Sequence, residues 1–393
     1  MQRASADGAF TVEGTSFFGI PIGRILPYAA VRTWHLQLAV FFVATCFLAA
    51  GLFIGPFVGR EPAHQAGLLW VLPGALVVVV VGALGGTCAS VLGAFGGNGF
   101  MFGHQGYEYI EPGRFWQFLL IAGMLIWLVL VVRAIRPALS SDKDAGGLTH
   151  LLLYSAITIP AFYMAGLMYG KGSHLTNAEY WRWWVVHLWV EGVWELVMAS
   201  ILAFIMLKLT GVDREVIEKW LYAIVATSLF TGVLGTGHHY YWIGAPSYWT
   251  WIGSIFSSLE VIPFFGMVVF TFMMVWKGRR NHPNKAALLW ALGCSVLAFF
   301  GAGVWGFLHT LHSINYYTHG TQVTAAHGHR ALLAAGLGCG QCAAVRWRPR
   351  RPGALLYNRV QGAVRACIKS IRPDLICCFG IVLTGWELFP VQG

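Results

Sequence analysis

The sequence predicts an all-α, polytopic transmembrane helical bundle. Three observations predict it: long apolar runs, a shortage of charge, and basic residues confined to alternate loops. Of 393 residues, 57% are hydrophobic and 11% charged, and the mean hydropathy is +0.63. Soluble domains rarely have such a composition. Apolar segments follow one another with short connections at about 31–57, 66–92, 114–133, 148–170, 182–207, 217–239, 250–276, 286–310 and from 322 onward. Each of the first eight is long enough to cross a bilayer as a helix, which takes about 20 residues. Size alone would permit two or three soluble domains, but this unbroken succession argues for one bundle.

Loop charge orients the segments. One side carries Arg60, then Arg133, Arg136 and Lys143, then Lys208, Arg214 and Lys219, then Lys277, Arg279, Arg280 and Lys285. The alternate loops carry only Arg114, Lys171 and Arg182, with no Lys or Arg at 241–249 or 311–322. The basic side is therefore cytoplasmic and the first segment begins outside. The first 16 residues are polar and lack the layout of a secretory signal. The net charge of +10 comes largely from these loops and an arginine-rich C-terminal stretch, so it implies no nucleic-acid partner. Of the eight cysteines, Cys46, Cys88 and Cys294 lie in apolar segments, where buried thiols are ordinary. Cys339 and Cys342 form a CxxC followed by Ala343 rather than histidine, which excludes a c-type haem attachment site.

Read in order, the segments bring ionisable groups to one depth. His35 opens the first segment at its outer end. His187 opens the fifth, with Glu191 four residues on and Glu195 one turn deeper. The sixth runs outward and closes on His238 and His239. His327 and His329 open the ninth. Ionisable groups at membrane depth are costly and usually functional. His187 and Glu191 share a helical face and can bind one metal ion. Three imidazoles with a carboxylate suit iron, while zinc and copper stay open. His327 and His329 point to opposite sides of one helix, about 200° apart, and so suit two separate cofactors. Proximal histidine ligation is a standard way to hold haem iron, and His35 is placed to be a second axial ligand.

Glu260, well inside the seventh segment, is either a proton-relay group or a protonated, hydrogen-bonded glutamate. Arg114 and Glu108 lie at the outer surface. Arg114 either pairs with haem propionates or is a solvated loop charge. His309, His312 and His319, near the same surface, have no assigned role.

The strings RTWHLQLA, HLWVEGVWE, GVDREVIEKWLY, GTGHHYYWIGAP, HPNKAALLWA, GAGVWGFLHT and NYYTHGTQVTAAHGH resemble the catalytic subunit of nitric oxide reductases, in the haem–copper oxidase superfamily. RTWHLQLA and GHQGYEYIEPGRFWQ are more similar to the quinol-dependent, single-chain branch. The absence of CxxCH agrees with that branch and equally with the catalytic subunit of the two-subunit form. The resemblance implies a bundle of the haem–copper oxidase subunit I type. It implies that His35 and His329 ligate a low-spin haem b, and that His327 is the proximal ligand of a high-spin haem b3. His187, His238, His239 and Glu191 would hold a non-haem iron. Glu195 and Glu260 would shape its electrostatics and deliver protons, and Glu108 would lie near the propionates. Oxygen-reducing relatives have a Pro-Glu-Val-Tyr string after their first metal-binding histidine. Here Leu188, Trp189, Val190 and Glu191 follow, which favours iron and nitric oxide over copper and oxygen. The implied reaction joins two NO into N2O and water, with electrons from quinol or cytochrome c, in a bacterial inner membrane, with the site toward the periplasm. A homodimer stays open.

The resemblance divides the chain into a lead-in at 1–30, a catalytic core at 31–330 and an aberrant tail at 331–393. RWRPRRP cannot sit in lipid as a helix. The tail reads as a translated frameshift after His329, and the chain as truncated at both ends relative to the quinol branch. Three other readings stay open: an oxygen-reducing oxidase of the same superfamily, a histidine-relay transporter without haem, and a fragment that inserts without assembling.

Overall fold

A computed structural model describes residues 19–105, 111–140, 148–197, 213–277 and 295–329, together with Ser200 and Gly293. Among them the long helices are α1 (Tyr28–Val58), α2 (Ala66–Val91), α3 (Arg114–Leu139), α4 (Leu148–Met164), α5 (Leu175–His187), α6 (Arg214–Gly235) and α7 (Trp249–Lys277). Two short helices, α8 (Trp305–Thr310) and α9 (His312–Thr318), follow, and residues 322–329 are helical. No strand occurs among the described residues; His104 and Pro112 form an isolated antiparallel bridge. The chain is an all-α bundle. Five of its described helices are long and apolar enough to cross a membrane: Tyr28–Pro56, Ala66–Val91, Arg114–Leu139, Thr149–Leu167 and Glu215–His239. Ser295–Thr310 and His312–Thr318 form a sixth candidate, bent by 107° at its break.

These helices are apolar on both faces. Inside, Val43, Phe47, Trp127, Val131, Ile135, Ile159, Trp189 and Val193 pack into one core. Outside, Trp70, Val81, Phe230 and Ile262 are each more than 60% exposed. A soluble bundle would place polar residues there; lipid requires apolar ones. Small residues bring the helices together. On α1, a Cβ at Gly51 would lie 2.8 Å from the Trp127 ring and one at Gly55 3.2 Å from Ala134. Two buried indoles donate across helices, Trp127 to Leu48 O at 2.8 Å and Trp189 to Ile159 O at 2.9 Å.

Three expectations are corrected. The fifth segment starts at Leu175 rather than near 182, capped by His174, whose Nδ1 accepts from Thr176 N at 3.2 Å. Nor is it a uniform helix: Leu188–Trp194 is π-helical, and Glu195 N–H reaches the carbonyl of Val190, five residues back. Arg182 and Arg114 are not loop charges, being only 2% and 7% exposed. The lead-in at 1–18, Glu108, Cys294, Lys143, Lys208 and the tail from Arg330 onward lie outside the described residues.

Candidate metal centre

α5 delivers His187 at its last residue, and the π-helical turn that follows delivers Glu191. α6 ends in a 3-10 turn, Thr236–His239, that carries His238 and His239. One ligand atom from each of the four residues lies within 4.8 Å of the others. His187 Nδ1 is 3.2 Å from Glu191 Oε2, and His238 Nε2 is 3.7 Å from Glu191 Oε1. The three imidazoles sit ring to ring, with centroids 4.0 to 5.3 Å apart.

Each ring is held by a second group. His187 Nε2 donates to the Gly232 carbonyl at 2.9 Å. A carbonyl only accepts, so in the neutral imidazole that a metal would bind Nδ1 carries the lone pair, facing Glu191. His238 Nδ1 lies 2.9 Å from Ser257 Oγ. His239 stacks on Trp183 with centroids 4.8 Å apart and planes 7° from parallel. Buried His187 Nδ1 and His239 Nε2 have no hydrogen-bond partner among the described residues. Orphaned buried nitrogens need an explanation, and a metal ion at the centre of the four donors supplies one. The donor set is nitrogen and oxygen only, which fits iron, zinc or copper.

Glycines make the close approach possible. A Cβ at Gly235 would lie 2.5 Å from Glu260 Oε1 and 3.1 Å from Ser257 Cα. The missing side chain thus lets α7 place Glu260 against the cluster, with Oε1 3.7 Å from His187 Nε2 and no hydrogen-bond partner of its own among the described residues. Glu260 is 6% exposed. Glu195, at the end of the π turn, shares the electrostatic field of Glu260, Glu191 and His187. In the loop after α6, burial pushes Tyr241 up to about 12, and its hydroxyl donates to Thr310 O at 2.6 Å.

The other histidines occupy two further positions. His329 faces His35 of α1, ring centroids 5.6 Å apart and planes at 42°. His327 stacks instead on His309, at 5.4 Å and 20°. His327 Nδ1 donates to Gly301 O and His329 Nδ1 to Ala325 O, both at 2.7 Å. Each bond fixes the tautomer that frees Nε2, the nitrogen an axial haem ligand uses. Gly301 belongs to a second π-helical stretch, Phe299–Val304. His309, without an assigned role from sequence, is 7% exposed and hydrogen-bonded to Trp305 O at 2.7 Å.

Arg114 binds the carbonyl of Gly166 at 3.1 Å and that of Tyr169. Arg182 pairs with Glu111 and with Glu179, an ion network that a loop charge would not form. Sequence reasoning also misses Ser257, Gly232 and Trp183. No spacing rule singles them out, because their roles exist only where α5, α6 and α7 cross.

A family model described as cytochrome c and quinol oxidase polypeptide I matches residues 10–386. A nitric oxide reductase subunit from Stutzerimonas stutzeri is 42% identical to this chain over 315 residues, 79% of this chain. The chain spans 65% of that relative's length. It belongs to the cytochrome c and quinol oxidase polypeptide I family.

Proposed function

We propose that this member of the family reduces nitric oxide: two NO, two electrons and two protons give N2O and water. The observation that carries the reading is Glu191, a carboxylate among three imidazoles, 3.2 Å from His187 Nδ1. An oxygen donor at this place suits iron better than copper. The 42% identity to a protein named as a nitric oxide reductase subunit supports the same reading.

His187, His238, His239 and Glu191 would hold a non-haem iron, His327 a high-spin haem b3, and His35 with His329 a low-spin haem b. When bound, these groups supply neighbouring coordination positions for two NO molecules and a route for electrons from quinol or cytochrome c. Around them, the chain binds and orients. The Gly232 carbonyl and the Trp183 ring hold two of the imidazoles in place, and fixed positioning is worth orders of magnitude in rate. Buried Leu188, Trp189, Val193 and Trp194 pack the segment that carries Glu191 and hold it in place. Glu260 and Glu195 would take up and deliver protons next to the cluster, Glu260 Oε1 lying 3.7 Å from His187 Nε2. Loop charge supports a position for the cluster toward the outer face of a bacterial inner membrane.

The test is metal and haem analysis of the detergent-purified chain, with NO and O2 consumption measured under a quinol donor. Two b haems and one non-haem iron per chain, with NO consumed, are expected. Copper in place of iron, or O2 reduction without NO reduction, would overturn the proposal.

A further inference from the structure

We propose that Ser257 is a positioning residue of the cluster. Its hydroxyl oxygen accepts the Nδ1 proton of His238 and fixes the tautomer that turns the Nε2 lone pair toward Glu191 and a bound first-row metal ion. The inference rests on the reading of the four residues as a metal centre.

Ser257 differs from its neighbours on α7. Thr250, Ser254 and Ser258 each donate to a backbone carbonyl three or four residues back, to Ser247, Thr250 and Ser254 at 2.7, 2.7 and 2.5 Å. This is the usual way a hydroxyl is satisfied in an apolar helix. Ser257, 1% exposed, instead meets an imidazole nitrogen on another element at 2.9 Å. The fit is tight: a Cβ at Gly235 would lie 3.2 Å from Ser257 Cβ, which leaves little room for water to replace the hydroxyl.

The three rings are fixed by different means. A carbonyl can only accept, so Gly232 leaves His187 one neutral tautomer. His239 is oriented by stacking on Trp183. A hydroxyl can act in either sense. Were Ser257 to donate to Nδ1, Nε2 would carry the proton and could not ligate. The Gly235 carbonyl, which can only accept, also lies against the His238 ring, and Ser257 accepting beside it keeps the proton on Nδ1 and the lone pair on Nε2. Groups that orient metal-bound imidazoles this way typically contribute about 10–100-fold in metal affinity.

The experiment compares Ser257→Ala and Ser257→Thr with the parent chain, purified whole in detergent. Non-haem iron is removed by chelation, ferrous iron is titrated back, and haem content is followed by pyridine haemochrome. Ser257→Ala should bind ferrous iron about 10–100-fold more weakly with both haems retained, and Ser257→Thr, which keeps the hydroxyl, should restore binding. Unchanged affinity in Ser257→Ala overturns the proposal, and so does equal weakness in both variants with haem intact. If Ser257→Ala loses haem, Ser257→Thr decides alone: affinity close to the parent supports the role and a loss of tenfold or more overturns it. A parent chain that takes up no non-haem metal defeats the metal-centre reading itself, an outcome distinguishable from failure of Ser257 alone.

Discussion

His187, Glu191, His238 and His239 bring their ligand atoms within 4.8 Å of one another across three elements. His35, His327 and His329 do not converge: His35 and His329 face each other across 5.6 Å between ring centres, and His327 turns away to stack on His309. The first region is closed by glycine-mediated crossings of α6 and α7, so its donors are in place from packing alone. The second is a set of separate imidazoles, two of them tied to backbone carbonyls. An ion needs converging donors, whereas a planar macrocycle needs opposed ones. The contrast says that the two kinds of centre should be separable by mutation.

The largest effects should come from removing ligands. Glu191→Ala and His239→Ala are expected to abolish non-haem metal binding and NO turnover while both haems remain, as checked by metal analysis with haemochrome quantitation. Loss of haem along with the metal would break the contrast. His329→Ala should give the converse, one haem lost with the non-haem metal retained, and His327→Ala should remove the other haem. Next in size is the Arg182 network, which anchors α5 just ahead of His187. Arg182→Met takes the cation from buried Glu179 and partly buried Glu111, and breaking a buried pair costs about 3–5 kcal/mol. A clear fall in thermal midpoint is expected, with metal stoichiometry unchanged in the folded fraction. Trp183→Leu removes the surface under His239 and the indole N–H that donates to Glu179 at 2.8 Å, and should weaken metal binding a few-fold. The smallest effect belongs to the exposed Lys219–Glu215 pair, where Lys219→Ala should leave the thermal midpoint unmoved.

The cluster is legible in sequence because helices of opposite direction carry their histidines at the same end, a pattern that loop charge alone can reveal. His35 and His329 are legible for the same reason. Ser257 is not, since Ser254 and Ser258 bond both their own backbone and other elements, and no periodicity says which hydroxyl meets an imidazole. Arg182 reads as a loop charge because the polar opening turns of α5, from Leu175, hide the start of the helix. The relation of Glu195 to His187 follows from the spacing of an ordinary helix, and Leu188–Trp194 does not keep that spacing.

That last segment has an evolutionary reading. In it, and again at Phe299–Val304, the wider turn takes up more residues than an α-helix of the same rise would. One in-frame codon removed from 188–194 would leave a helix of much the same apolar composition, still able to cross a membrane. The residues beyond the deletion would keep their bearing, because the wide turn already absorbs the extra residue, and the setting of Glu191 against His187 inside the segment would change. A lineage could therefore gain or lose this setting of Glu191 against His187 by a single codon change, with the helix count left as it was.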